Sequence, residues 1–150
     1  MRQESVNQPN EQNVSNSDLL RALRLEQSSK TAASLAATHD ETPVFDHLAE
    51  SATRHIATLT ELLERAGIDV PEHEPSDPVW QSTNAALEDA FRTEEEKADV
   101  YDRLVTASER TENHHLFFKL WQATARRHLP AIAHQLEQAS PIDSTTPRPR

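Results

Sequence analysis

One glycine, Gly67, serves the whole 150-residue chain. Sheet folds reverse direction often, and their tight turns draw on glycine each time, so a chain this poor in it cannot be a turn-dense β protein. Long runs rich in Ala, Leu, Glu, Arg and Gln are good helix formers. The expected class is therefore all-α. With 35% hydrophobic and 27% charged residues, the chain can bury one core, which implies a single domain.

The formal charge of -10 repels phosphate backbones, and the bases are scattered along the chain, so nucleic acid is not expected as a partner. There is no cysteine, hence no disulfide framework and no thiolate site. The opening MRQESVNQPNEQNVSNS has no charged region followed by an apolar run, and no long apolar segment follows, so a soluble cytoplasmic protein without a membrane partner is expected. Polar, aperiodic composition marks residues 1–16 and 140–150 as tails around a domain at 17–139.

Four helices of about six turns fill that domain. Helix 1 is expected from Ser17 or Asp18 to about Thr38, with Leu19, Ala22, Leu23, Glu26, Ala33 and Ala37 on one face. Helix 2 has Thr42 as N-cap, Pro43 in the first turn and Gly67 at its end. Its stripe is Phe45, Leu48, Ala52, His55, Leu59 and Leu63. Helix 3 is expected from Asp77-Pro78 to about Arg110. Helix 4 begins near Asn113 and carries Phe118, Trp121, Ala125, His128, Ile132 and Leu136. Pro130 removes a backbone donor and crowds the preceding turn, which predicts a kink just past His128.

Short connections make helices 1 and 2, and helices 3 and 4, antiparallel hairpins. The middle connection, IDVPEHEPSDP, is stiff with proline. Its eleven residues at roughly 3.3 Å each reach about 36 Å, enough to cross the bundle and start helix 3 parallel to helix 2. A long crossover is thus expected in place of simple up-and-down order.

The two hairpins repeat one another. Leu19, Ala22, Leu23 and Glu26 share their spacing with Leu87, Ala90, Phe91 and Glu94, an offset of 68 from 26 to 94. Phe45, Leu48, Ala52, His55, Leu59 and Leu63 share theirs with Phe118, Trp121, Ala125, His128, Ile132 and Leu136, an offset of 73 from 55 to 128. An inward Glu on the first helix and an inward His on the second, twice, resembles the ferritin-like di-iron carboxylate bundles, and the rubrerythrin type among them. The resemblance spans residues 18–139, through PVFDHLAESATRHIATLTELLERAG and ALEDAFRTEEEKADVYDRL.

That resemblance implies a ferritin-like four-helix bundle in which each His follows a metal-bridging Glu by three residues. Here Ala52 and Ala125 occupy the bridging positions, and Lys97 stands where a second carboxylate is usual. Glu26, His55, Glu94 and His128 remain as the metal set. Two carboxylates with two neutral imidazoles balance one divalent ion, so a single iron, manganese or zinc per subunit is expected, with an iron or oxidative-stress role implied by the resemblance. The competing expectation needs no metal: Glu26 pairs with His55 and Glu94 with His128, while Lys30 and Lys97 supply the positive charge.

Other polar groups carry less. His39, His114 and His115 lie at helix ends, His47 and Glu50 fall off the apolar stripe, His73-Glu74 sits in the linker, and Glu95 and Glu96 face water. Trp121 and Tyr101 flank the site. No nucleophile with a base and no glycine-rich phosphate loop is present, so catalysis outside metal chemistry has no sequence support. Leu20 and Ile56, read as exposed, suggest a homodimer contact.

Overall fold

The computed structural model describes residues 14–70, 72 and 76–145, with side chains described up to residue 138. The chain is an all-α helical bundle. Helix α1 is Asn16–His39, α2 is Pro43–Arg65, α3 is Thr83–Ala107, and α4 is His114–Gln122. A π-helical segment, Ala123–His128, continues α4 into α5, Leu129–Thr145, so these three form the fourth rod of the bundle. Among the described residues, no helix is long and apolar enough to cross a membrane. Of the expected tails, residues 1–13 and 146–150 lie outside the described residues, as does His73-Glu74, whereas Asn16 already belongs to α1 and residues 140–145 continue α5.

Local chemistry explains most of the helix ends. Ser15 caps α1 by accepting from the Asp18 backbone N–H at 3.1 Å, two residues before the expected Ser17. α2 begins at Pro43 as expected, but the Thr42 side chain caps nothing. Asp40 substitutes, accepting from the Thr42 N–H at 2.7 Å, from its hydroxyl, and from the Thr83 hydroxyl at 2.7 Å. These hydrogen bonds, Thr42's first, hold the Asp40 carboxyl below its ordinary pKa. One side chain thus joins the end of α1 to the starts of α2 and α3. Gly67 ends α2 at φ 74°, a left-handed conformation that only glycine adopts without strain. α3 starts five residues later than expected: Ser82 caps it by accepting from Ala85 N–H at 3.0 Å, and Asp77-Pro78 lies outside any helix before it.

α1 packs along α2 and along α3, and α3 packs along α4, the π segment and α5. Contacts between α1 and α3 run in reverse order: Asp18 meets Arg103, Glu26 meets Lys97, Ser29 meets Glu94, and Asp40 meets Thr83. The two helices are antiparallel, and α2 and α3 begin at the same end of the bundle. Leu20 and Ile56 are half-buried and pack on the core instead of standing free.

The core has three layers. One end is closed by Leu19, Leu23, Leu59, Leu63, Tyr101, Leu104, Phe117, Leu120 and their neighbours. The other is closed by Ala33, Ala36, Val44, Phe45, Leu48, Ala86, Leu87 and Ile132. Between them lie the buried polar residues Glu26, Ser29, Ser51, Glu94, Lys97 and Thr124, with the small side chains of Ala52 and Ala123.

The internal repeat now acquires a geometry, and part of it needs correction. Along the fourth rod as far as Thr124, the second residue of the π segment, the buried residues are Phe117, Leu120, Ala123 and Thr124, whereas Phe118, Trp121 and Ala125 are only half-buried. Phe45, Leu48 and Ala52 therefore correspond to Phe117, Leu120 and Thr124, an offset of 72 from 52 to 124. From the last residue of the π segment onward, His55 and Leu59 correspond to His128 and Ile132 at the expected 73. The π segment absorbs the one extra residue, as such bulges do. In place of a simple kink, the helix widens in the turn before Pro130, where a regular helix would crowd the proline ring.

Candidate functional site

Glu26, His55, Glu94 and His128 all reach the middle layer. Glu26 and Glu94 are buried, at 0% and 1% exposure. His55 Nδ1–H donates to Glu26 Oε2 at 2.9 Å, and His128 Nδ1–H donates to Glu94 Oε1 at 3.0 Å. An ionised carboxylate only accepts, which assigns the hydrogen to each ring nitrogen. The imidazole rings lie 6.3 Å apart, inclined by 34°, and each keeps a thin edge near the surface, with 12% and 13% of the side chain exposed.

Lys97 joins the two halves. The residue is 1% exposed, and its Nζ lies 3.0 Å from Glu26 Oε1 and 2.6 Å from Glu94 Oε2. Tyr101 Oη donates to Glu26 Oε2 at 2.5 Å, and Ser29 Oγ to Glu94 Oε2 at 3.5 Å. Ser51 Oγ lies 3.4 Å from His55 Nε2. The result is a continuous chain, His55, Glu26, Lys97, Glu94, His128, crossing the bundle from α2 through α1 and α3 to the fourth rod. Helical spacing builds it: Glu94, Lys97 and Tyr101 recur every three or four residues on one face of α3.

The charges stabilise each other. Burial works to raise the Glu26 pKa, but the Lys97 ammonium and hydrogen bonds from His55 and Tyr101 outweigh it and hold the group at about 2, below its ordinary 4.5. Burial also works against the Lys97 charge, yet Glu26 and Glu94 together raise its pKa above 10.5. Burial, then the Glu26 carboxylate, push the Tyr101 phenol well above 10.0, so it stays a donor.

As donors to a metal ion the four residues fit poorly in this arrangement. The space between the carboxylates is filled by an ammonium at hydrogen-bond distance, and both Nδ1 atoms are engaged with carboxylates. A divalent ion would have to displace a buried charge already paired twice. Among the described residues, no group of three or more His, Asp or Glu is disposed to hold a metal.

Several expectations change. Lys30 is exposed and takes no part in the network. Its expected role falls to Ser29, one residue earlier, which stands to Glu26 as Lys97 stands to Glu94. That offset, 68 from 29 to 97, was present in the repeat and could have marked Ser29 in advance. Ala52 is buried, but the matching position is Thr124 and not Ala125, and the Thr124 hydroxyl is buried with no hydrogen-bond partner. His39, His47, His115, Glu50, Glu95 and Glu96 are exposed, and His114 Nδ1–H donates locally to Val105 O at 3.1 Å, at the α3–α4 turn. Compared with known proteins, the chain matches no family model, no curated protein and no solved structure.

Proposed function

We propose that this chain is a ferritin-like bundle that works without a metal ion, as a binding or structural module whose core cation is the Lys97 ammonium. The observation that carries the reading is the position of Nζ, 3.0 Å and 2.6 Å from the two carboxylates and sealed from water. Antiparallel α1 and α3, two short hairpins, and one inward Glu and His on each support the ferritin-like part. They agree with a crossover between helices 2 and 3.

On this reading the chain is a scaffold whose working surface lies outside the polar layer. The second reading, one iron, manganese or zinc ion held by Glu26, His55, Glu94 and His128, is favoured by the convergence of those side chains in one layer. Metal content of untagged protein, with melting curves in chelator and in added Fe(II), Mn(II) or Zn(II), separates the two. A metal-free core predicts no stoichiometric metal and an unchanged melting temperature. A rise of several degrees would overturn it, since a ligand at about 100 times its dissociation constant stabilises by about 2.7 kcal/mol.

A further inference from the structure

The bundle is not equally closed on all sides. α2 faces the fourth rod across an open groove of about 590 Å³. Arg54 enters it from α2, and Lys119, Arg126 and Arg127 from α4 and the π segment. Ser51 and the edge of His55 also line it, and no Asp or Glu does.

This is an odd place for four bases to gather. The chain has 25 acidic against 15 basic residues. Elsewhere four of its arginines pair with carboxylates: Arg21 with Glu96, Arg65 with Glu61, Arg92 with Asp89 and Arg103 with Asp18. Among the described residues, none of the four groove bases has a carboxylate within ion-pair reach. Like charges held along one seam repel, and an anion between them removes that cost. Arg126 is also held in place, its guanidinium stacked over the Trp121 ring at 5.1 Å. The π segment brings consecutive Arg126 and Arg127 to the same groove.

We propose that this groove binds a small phosphate-bearing molecule. Guanidinium forks match phosphate oxygens in pairs, a lysine adds a point charge, and Ser51 offers a hydroxyl. Leu116 and Leu120 give the groove an apolar wall for the organic part, and its size falls in the range of small-molecule sites. The groove touches the core network at Ser51 and the edge of His55, but its four bases take no part in that network, so the site stands whether or not the core takes a metal.

The test is a titration of the full chain, followed by amide and side-chain NMR shifts, with inorganic pyrophosphate in one arm and ATP in the other. Saturable shifts confined to residues around Arg54, His55 and Arg126 are expected, fading in high salt as exposed charges are screened. Tighter binding of ATP would assign part of the recognition to the organic portion; equal binding would assign it to the phosphates alone, and either supports the site. R54E/R126E should weaken binding about tenfold or more, whereas R65E/R92E, on bases paired elsewhere, should leave it within about twofold. If the first variant alters the spectrum beyond the groove, K119E carries the same comparison. Absence of saturable shifts at millimolar probe, equal binding by the reversal variant, or clear preference for a single-stranded oligonucleotide overturns the proposal.

Discussion

The two hairpins share a pattern yet hold their carboxylates differently. Glu26, on the first, accepts from Lys97, His55 and Tyr101, all at 3.0 Å or less. Glu94, on the second, accepts from Lys97 and His128 at similar range, but its third donor, Ser29, lies 3.5 Å away. The cause is visible in the repeat. Lys97 and Tyr101 on α3 correspond to Ser29 and Ala33 on α1, so the second hairpin supplies both strong donors: Lys97 serves both glutamates, and Tyr101 serves the first hairpin's alone. A symmetric framework thus holds an asymmetric charge network, and a single ammonium near the centre serves both sides.

Removing that shared charge should do the most damage. K97M leaves two buried carboxylates facing each other, and breaking such a pairing costs about 3–5 kcal/mol, a fall of order 10 °C in melting temperature. A change of only a degree or two would mean the glutamates find other partners and the halves are independent. Acid comes next. Glu26 is held at about 2 against 4.5, so the unfolded chain takes up its proton first. Its stabilisation is complete above about pH 4.5 and is lost as pH falls towards 2, by up to about 3 kcal/mol. Lys97 and Tyr101 are shifted upward, so their contributions hold below about pH 10 and are lost as pH rises further. Denaturation midpoints across pH should therefore show a plateau with falls on both sides, and E26Q should flatten the acid one.

The asymmetry itself is tested by single deletions. Y101F removes a hydrogen bond to a buried carboxylate and should cost about 2 kcal/mol, while S29A should cost under about 1 kcal/mol. Equal losses in chemical denaturation would show that the third donors are equivalent. The smallest effect belongs to the repeat register. The Thr124 hydroxyl is buried without a partner, so T124V, nearly the same shape, should be neutral or stabilise by up to about 1 kcal/mol. A loss above about 1 kcal/mol would mean the hydroxyl is engaged, and that Thr124 is more than the counterpart of Ala52.

Helical class, hairpin pairing and the inward Glu26, His55, Glu94 and His128 were legible because each rests on local periodicity. Pro43, Gly67 and the stripe of α2 are a clear case: apolar spacing and end residues agree along the helix. The fourth rod misled for the same reason. Reading it at constant pitch placed Phe118, Trp121 and Ala125 inward, and nothing local to those residues betrays a one-residue bulge upstream of Pro130. Lys97 stood out as a departure from the family pattern, but that its ammonium spans both glutamates depends on how α1 and α3 pack. Lys30 and Ser29 show the same limit, since a one-residue rotation on α1 decides which of them is buried. The groove bases were invisible along the chain, because Arg54 is brought to Arg126 only by tertiary structure.

Each apolar end of the core draws side chains from both hairpins, and this governs how the molecule assembles. Leu19, Leu23, Leu59 and Leu63 close one end only with Val100, Leu104, Phe117 and Leu120 from the other hairpin, and the opposite end is likewise shared. Neither half of the chain contains a finished apolar cluster, so neither gains enough burial alone to offset its ordering entropy. Two fragments cut between Gly67 and Ser82 would be unstructured apart and fold by complementation when mixed, which makes the intact chain's transition all-or-none.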